Sequence, residues 1–185
     1  MAAVIQEETK RLARLVDNLL DLSRLQAGAA EPHRELTSVD ELIRAAVADV
    51  GAGPEAFALS IDRDMPLVSV DPVQMERALV NVLENARRHS GGHPVSVRAR
   101  AVRRVVVVRI VDRGPGIPPA QLERVFEPFY RAGTAGSGHR ASGLGLAIAR
   151  GFTEANGGEL HVESLPGQGA TFVFELPLPA ETDEP

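Results

Sequence analysis

The chain opens on apolar side chains at heptad spacing. Ile5, Leu12 and Leu19 recur every seven residues, Leu15 and Leu22 fill the intervening positions, and Val16 and Leu20 widen the stripe. Glu7, Glu8, Lys10, Arg11 and Arg14 cover the other faces. The pattern predicts one helix over residues 2–27, stopped by the Gly28-Ala-Ala-Glu-Pro32 stretch. A stripe this rich in Leu, ahead of a linker, suits a bundle or dimerisation helix better than a core helix. Beyond the linker, Thr37 or Ser38 can cap a helix through Leu42, Ile43, Ala46 and Val47. Phe57–Ile61 and Val68–Val70 read as short strands. Asp71-Pro72 opens a helix carrying Met75, Leu79, Val82, Leu83 and Ala86 at the helical period, ended by Gly91-Gly92-His93-Pro94.

Val95–Ala101 and Val105–Val111 form a predicted hairpin, followed by a glycine-proline loop over Asp112–Pro119. Gln121–Tyr130 is expected to be mostly helical, and Arg131–Ser142 to be a loop without periodicity. Leu144–Ala155 reads as a helix, then Glu159–Ser164 and Ala170–Leu176 as strands, with an acidic tail from Pro177. Helices mixed with antiparallel strands predict an α+β fold, a two-layer sandwich with helices on one face of a mixed sheet, preceded by one long helix. The expected units are 1–28 (helix), 29–35 (linker), 36–178 (main domain) and 179–185 (tail).

The 185 residues suit one substantial domain plus an appendage. There is no cysteine, which excludes disulfides and thiolate metal sites. The net charge is −5 and Lys10 is the only lysine, which argues against broad nucleic-acid binding. Val105–Val108, among the longest apolar runs, is far too short to span a bilayer, and no signal peptide is evident. The expected location is the cytoplasm, with any membrane anchor in segments outside this sequence.

Three stretches carry candidate chemistry. Asn81 and Asn85 sit four apart on one helical face, although asparagine is a poor helix former. They are either surface amides or neutral oxygen donors, able to ligate Mg²⁺ beside a triphosphate without adding negative charge. Arg88, a turn later, could then meet a phosphate. Asp112-Arg-Gly114-Pro-Gly116-Ile117 ends an apolar strand. It is either a solvated turn or a carboxylate aimed at the exocyclic amine of a base, with glycines that let the backbone approach the ring. Ser142-Gly143-Leu144-Gly145-Leu146 leads into a helix whose free N–H groups suit phosphate, although no P-loop lysine follows. Phe126, Phe129 and Tyr130 read as packing anchors or lid seats before the loop; Arg131, His139 and Arg140 add positive charge there.

In this order and spacing the motifs resemble the N, G1, F and G2 boxes of the histidine kinase ATP-binding domain, the fold shared with gyrase, MutL and the large heat-shock chaperone. The likeness covers about residues 35–178. The first helix resembles the second helix of a dimerisation and phosphoacceptor hairpin. With Ala149–Gly158, it points to the KdpD-type potassium-responsive sensor kinases.

The resemblance implies that Asp112 holds the adenine amine, with Gly114, Gly116 and Ile117 in its loop. Asn85 would be the Mg²⁺ ligand and Asn81 would help position phosphates and metal. Arg88 would contact phosphate, and His89 and Tyr130 would lie beside the nucleotide. Gly143, Leu144, Gly145 and Leu146 would close over the phosphates, Thr171 would support Asp112, and Arg131 would assist the γ-phosphate. The implied reaction is transfer of the γ-phosphoryl of MgATP to a histidine, with a response regulator as downstream partner and a homodimer formed through residues 1–28. Two departures stand out. Ala141 replaces a glycine that the family often carries. None of His33, His89, His93, His139 and His161 has the acidic residue and proline that follow the acceptor histidine, so the acceptor is expected on a helix before Met1. Related hydrolytic ATPases carry a glutamate where Asn81 stands; Glu84 is expected on a different helical face. The alternatives are a nucleotide-binding or dimerisation module without transfer, and an ATPase of the wider fold family.

Overall fold

The computed structural model describes residues 2–53, 55–131 and 142–179. Helix α1 covers Ala2–Gln26. Strand β1 (Glu35–Thr37) and strand β3 (Val68–Val70) pair antiparallel as a separate two-stranded ribbon. Between them lie helix α2 (Val39–Val50) and strand β2 (Phe57–Ile61). Helix α3 is Pro72–His89, followed by strands β4 (Val95–Val102) and β5 (Val105–Val111), helix α4 (Gly145–Ala155), and strands β6 (Glu159–Ser164) and β7 (Ala170–Pro177).

The main sheet has the order β2-β4-β5-β7-β6. Only β2 and β4 run parallel; the other three pairings are antiparallel. Alternate residues point to one face: Val106, Val108 and Ile110 of β5 and Phe172, Phe174 and Leu176 of β7 are buried. They meet Ile43 of α2, Leu79 and Leu83 of α3, and Ile148 and Phe152 of α4 in one core cluster. The result is the expected α+β sandwich over a mixed sheet.

The helix ends follow local chemistry. Ser38 Oγ accepts from the Glu41 N–H at 3.4 Å to start α2. Asp71 Oδ1 accepts from the N–H groups of Val73 and Gln74, each at 3.0 Å, with Pro72 in the first turn of α3. Asp71 also joins a polar hub that ties the linker to two helices. Its Oδ2 accepts from His33 N, its own N–H donates to Asn156 Oδ1 at 2.7 Å, and Asn156 Nδ2 donates to Gln74 Oε1 and Phe152 O.

The last turns of α1 rest on the domain. Leu22 and Leu25 pack against the core, Arg77 of α3 pairs with Asp21 at 2.6 Å, and Leu12, Val16 and Leu20 remain exposed. Among the described residues, no helix is long and apolar enough to cross a membrane.

One expected helix is absent. Gln121–Tyr130 holds the end of a 3-10 turn at Pro119–Gln121, a second at Arg124–Phe126 and no α-helix. Glu127 precedes Pro128 and is extended (φ −69°, ψ 135°), and Phe129 has φ 64°, so the helical period cannot continue. Most of the loop, 132–141, and with it Ala141, His139 and Arg140, lies outside the described residues, as does the tail from residue 180.

Candidate functional site

Two adjoining cavities run along α3 between the glycine-proline loop and the start of α4; Asn85, Val125, Tyr130 and Leu146 line both. The larger, about 310 Å³, is bordered by Asn81, Asn85 and Arg88 of α3 and by Gly143, Gly145 and Leu146. The second, about 190 Å³, holds Asp112, Gly116, Ile117, His89 and Phe172. Together they fall in the size range of small-molecule sites.

The asparagine pair faces the larger cavity because positions four apart on α3 share a face. Helix α4 begins hard against it: a Cβ on Gly145 would lie 3.0 Å from Asn81 Oδ1. The first turn of α4 carries no side-chain cap, so its N–H groups remain available. Gly143 has φ +70°, and a Cβ there would meet Phe129 backbone at 2.9 Å. The Phe129 N–H donates to Gly143 O at 2.8 Å, stitching the two sides of the loop together.

Asp112 forms the floor of the second cavity and is 3% exposed. Its Oδ1 accepts from Gly114 N at 2.8 Å and from Ala170 N at 3.2 Å. Both bonds fall on one oxygen, which leaves Oδ2 for a ligand. Burial raises its pKa above the ordinary 3.8, opposed by the two backbone bonds and by the charge of His89. Burial and the neighbouring Arg88 lower the His89 pKa, while Asp112 raises it. Gly116, at φ +74°, has no room for a side chain: a Cβ would lie 2.1 Å from Leu165 O.

Most of the predicted site residues therefore converge, and the exceptions have clear reasons. Gly114 backs Asp112, since a Cβ there would lie 2.5 Å from His89 O. Leu144 is fully buried in the core and does not line the cavity. Thr171 does not support Asp112. Side chains alternate along β7, so Thr171 points away from the face of Ala170 and Phe172, and the Ala170 N–H takes the supporting role. Arg131 lines the cavity of Asp112, which it shares with Asn85, and not the larger cavity that also holds Asn81. Glu84 does not face elsewhere: it lines the larger cavity with Asn81, three residues away and thus on a neighbouring line of the helix.

Phe126 is an anchor, packed edge-on to Phe172 with centroids 6.5 Å apart, whereas Phe129 is 63% exposed. Tyr130 is held from outside by the Arg124 guanidinium, 4.5 Å above its ring. Arg14, Leu15 and Asn18 of α1, not among the residues expected at the site, close one side of the larger cavity. No local signal marks them, because the contact joins residues about seventy positions apart. Phe172 was recoverable, since strand parity sets it opposite to Thr171.

Comparison with known proteins agrees with this geometry. Residues 70–180 match the model of the family described as histidine kinase-, DNA gyrase B-, and HSP90-like ATPase. The sensor protein KdpD of Mycobacterium tuberculosis is 35% identical over 187 residues, covering 98% of this chain and 22% of that protein. The signal transduction histidine-protein kinase AfsQ2 of Streptomyces coelicolor is 36% identical, covering 97% of this chain and 34% of that protein. The chain thus spans about a fifth to a third of these relatives. The crystal structure of full-length ShkA in complex with AMPPNP superposes with a TM-score of 0.79 at 28% identity, covering 96% of this chain and 38% of that one. The matched segment holds both asparagines, Asp112 and the glycines around them, and on that evidence the chain belongs to the family of histidine kinase-, DNA gyrase B- and HSP90-like ATPases.

Proposed function

We propose that this chain is the ATP-binding catalytic part of a sensor histidine kinase, transferring the γ-phosphoryl group of MgATP to a histidine on another helix. The observation that carries the reading is a single groove with a buried carboxylate, Asp112, in one half and a neutral amide pair, Asn81 and Asn85, in the other. That suits a ligand with an amine-bearing base at one end and a polyanion at the other.

Asp112 Oδ2 would accept from the adenine amine, with Gly116, Ile117 and His89 around the base. Tyr130 spans both halves. Asn81, Arg88 and the uncapped N–H groups beyond Gly143 would orient the phosphates, with Gly145 and Leu146 closing over them. Arg131 would reach across from the base cavity. The amide oxygen of Asn85 fits Mg²⁺ as a neutral oxygen donor beside phosphates. The metal, when bound, neutralises charge on the phosphate oxygens. In the transfer, an imidazole nitrogen attacks the γ-phosphorus, the bond to the β-γ bridging oxygen breaks, and ADP leaves with that electron pair. Neutral imidazole needs no strong base, so positioning and charge stabilisation supply most of the rate.

Residues 1–28 would belong to a dimerisation hairpin, 29–35 to a linker, 36–178 to the catalytic domain and 179–185 to a tail. The expected setting is cytoplasmic, in a homodimer that passes phosphate to a response regulator. Likeness to KdpD supports a place in potassium-responsive signalling.

The test is to mix the purified chain with a separate acceptor hairpin and radiolabelled ATP. Acid-labile label on the hairpin is the expected result, with none on the chain alone. Binding without transfer favours a nucleotide-dependent module instead. A second reading, an ATPase, draws on Glu84, a carboxylate in the asparagine cavity. Its carboxylate is held by Arg14 at 2.5 Å rather than left to position a water, so steady-state phosphate release should be slow. Brisk release would favour the ATPase.

A further inference from the structure

Helix α1 does more than adjoin the domain. Arg77 of α3 holds it by a fork, with one guanidinium nitrogen 2.6 Å from Asp21 and another 3.7 Å from Asp17. Leu25 lies over Gly151 of α4, so closely that a Cβ on that glycine would be 2.8 Å from Leu25 Cδ1. These contacts set the helix across the asparagine cavity. One turn earlier, Arg14 reaches over the cavity and its Nη1 donates to Glu84 Oε1 at 2.5 Å. Glu84 is mostly buried, with its side chain 20% exposed, and sits between Asn81 and Arg88. Arg88, the other cation close to Glu84, is the one assigned to phosphate, so without Arg14 the carboxylate would compete with a polyanion for it, at the low effective dielectric of a partly desolvated site.

We propose that Arg14 is a positioning residue of the nucleotide site. Docked α1 carries its guanidinium to the phosphate end and cancels the charge of Glu84. Docking of α1 and binding of a triphosphate therefore favour one another, by an equal factor in each direction. The inference rests on the nucleotide reading of the cavity and adds to it a dependence on where α1 lies.

The experiment measures MgATP and adenosine affinity for the whole chain, its R14A and R14K variants, and R14A in an E84Q background. R14A is expected to weaken MgATP about fivefold, the effect of one unit charge several ångströms away in a partly wet site. Adenosine affinity should be unchanged, because that ligand has no charge to feel the difference. R14K should keep most of the affinity, and E84Q should abolish the effect of R14A. The inference is overturned by an R14A chain that binds MgATP as well as or better than the parent, or loses adenosine equally. An R14K loss as large as that of R14A, or an R14A loss that persists in E84Q, overturns it too. A parent chain that binds neither ligand overturns the nucleotide reading itself, a result distinct from these.

Discussion

Asp112 offers the sharpest test, because its two oxygens have different jobs. Oδ1 accepts from Gly114 N and Ala170 N and so belongs to the fold. Oδ2 is left for the ligand. Asp112→Asn keeps an oxygen for the backbone donors and replaces Oδ2 with an NH₂ group. The ionised carboxylate is also disfavoured by burial, which raises its pKa, so removing the charge should cost little stability. The ligand, by contrast, would lose a hydrogen bond to a charged acceptor, roughly 1.5–3 kcal/mol, and two donors would be left facing each other. A total near 3 kcal/mol corresponds to roughly a hundredfold weaker Kd for adenine nucleotides.

Asp112→Ala is the comparison. It strips both backbone donors of their acceptor in a buried setting and should destabilise the fold by about 2–4 kcal/mol. Calorimetric titration with ADP and thermal melts of the three chains separate the effects. Asp112→Asn with an unchanged melting temperature and ADP affinity within about threefold of the parent would refute the assignment of Oδ2 to the base.

Other consequences follow from the same geometry. Adenosine affinity should fall on acidification at a pH above the ordinary 3.8 of a carboxyl, because the raised pKa of Asp112 brings its protonation forward; a profile flat down to 3.8 would count against it. The same shift makes Asp112 contribute stability that is full below 3.8 and is lost as pH rises through the folded value, so Asp112→Asn should remove that slope from the melting curves. Gly169→Ala should lower the melting temperature by roughly 6–12 °C, since φ is +76° and the new Cβ would lie 2.1 Å from Asp112 O. Asn156→Ala removes the acceptor of the Asp71 N–H and a donor to Gln74, and should cost about 3 kcal/mol in denaturant unfolding; a change below about 0.5 kcal/mol would show that the hub is not holding the linker.

The legible parts of the chain were those governed by short-range rules. The period of Met75, Leu79 and Leu83, the cap at Asp71 and the alternation in β5 and β7 each follow from neighbours within a turn or a strand. The asparagine pair and the Asp-x-Gly-x-Gly loop were visible because rigid spacing on one element sets which side chains can share a ligand. The stretch 121–130 misled because its composition is helix-compatible while Pro128 and the positive φ of Phe129 interrupt it. Strand β1 carries no local signal because its partner, β3, lies some thirty residues away.

Local sequence is enough for the set of elements and the chemistry each one carries: amides on α3, a carboxylate at the end of β5, glycines ahead of α4. Which of those groups answer one another depends on how the elements pack. Packing turned Thr171 away and put the Ala170 N–H on Asp112, drew Glu84 into the asparagine cavity, and laid Arg14 across it from a helix about seventy residues distant. The difference lies in the range of the forces involved. Periodicity and capping act within a few residues, whereas the charge at a ligand site is the sum over every group that packing brings near, and packing is settled by the fold as a whole.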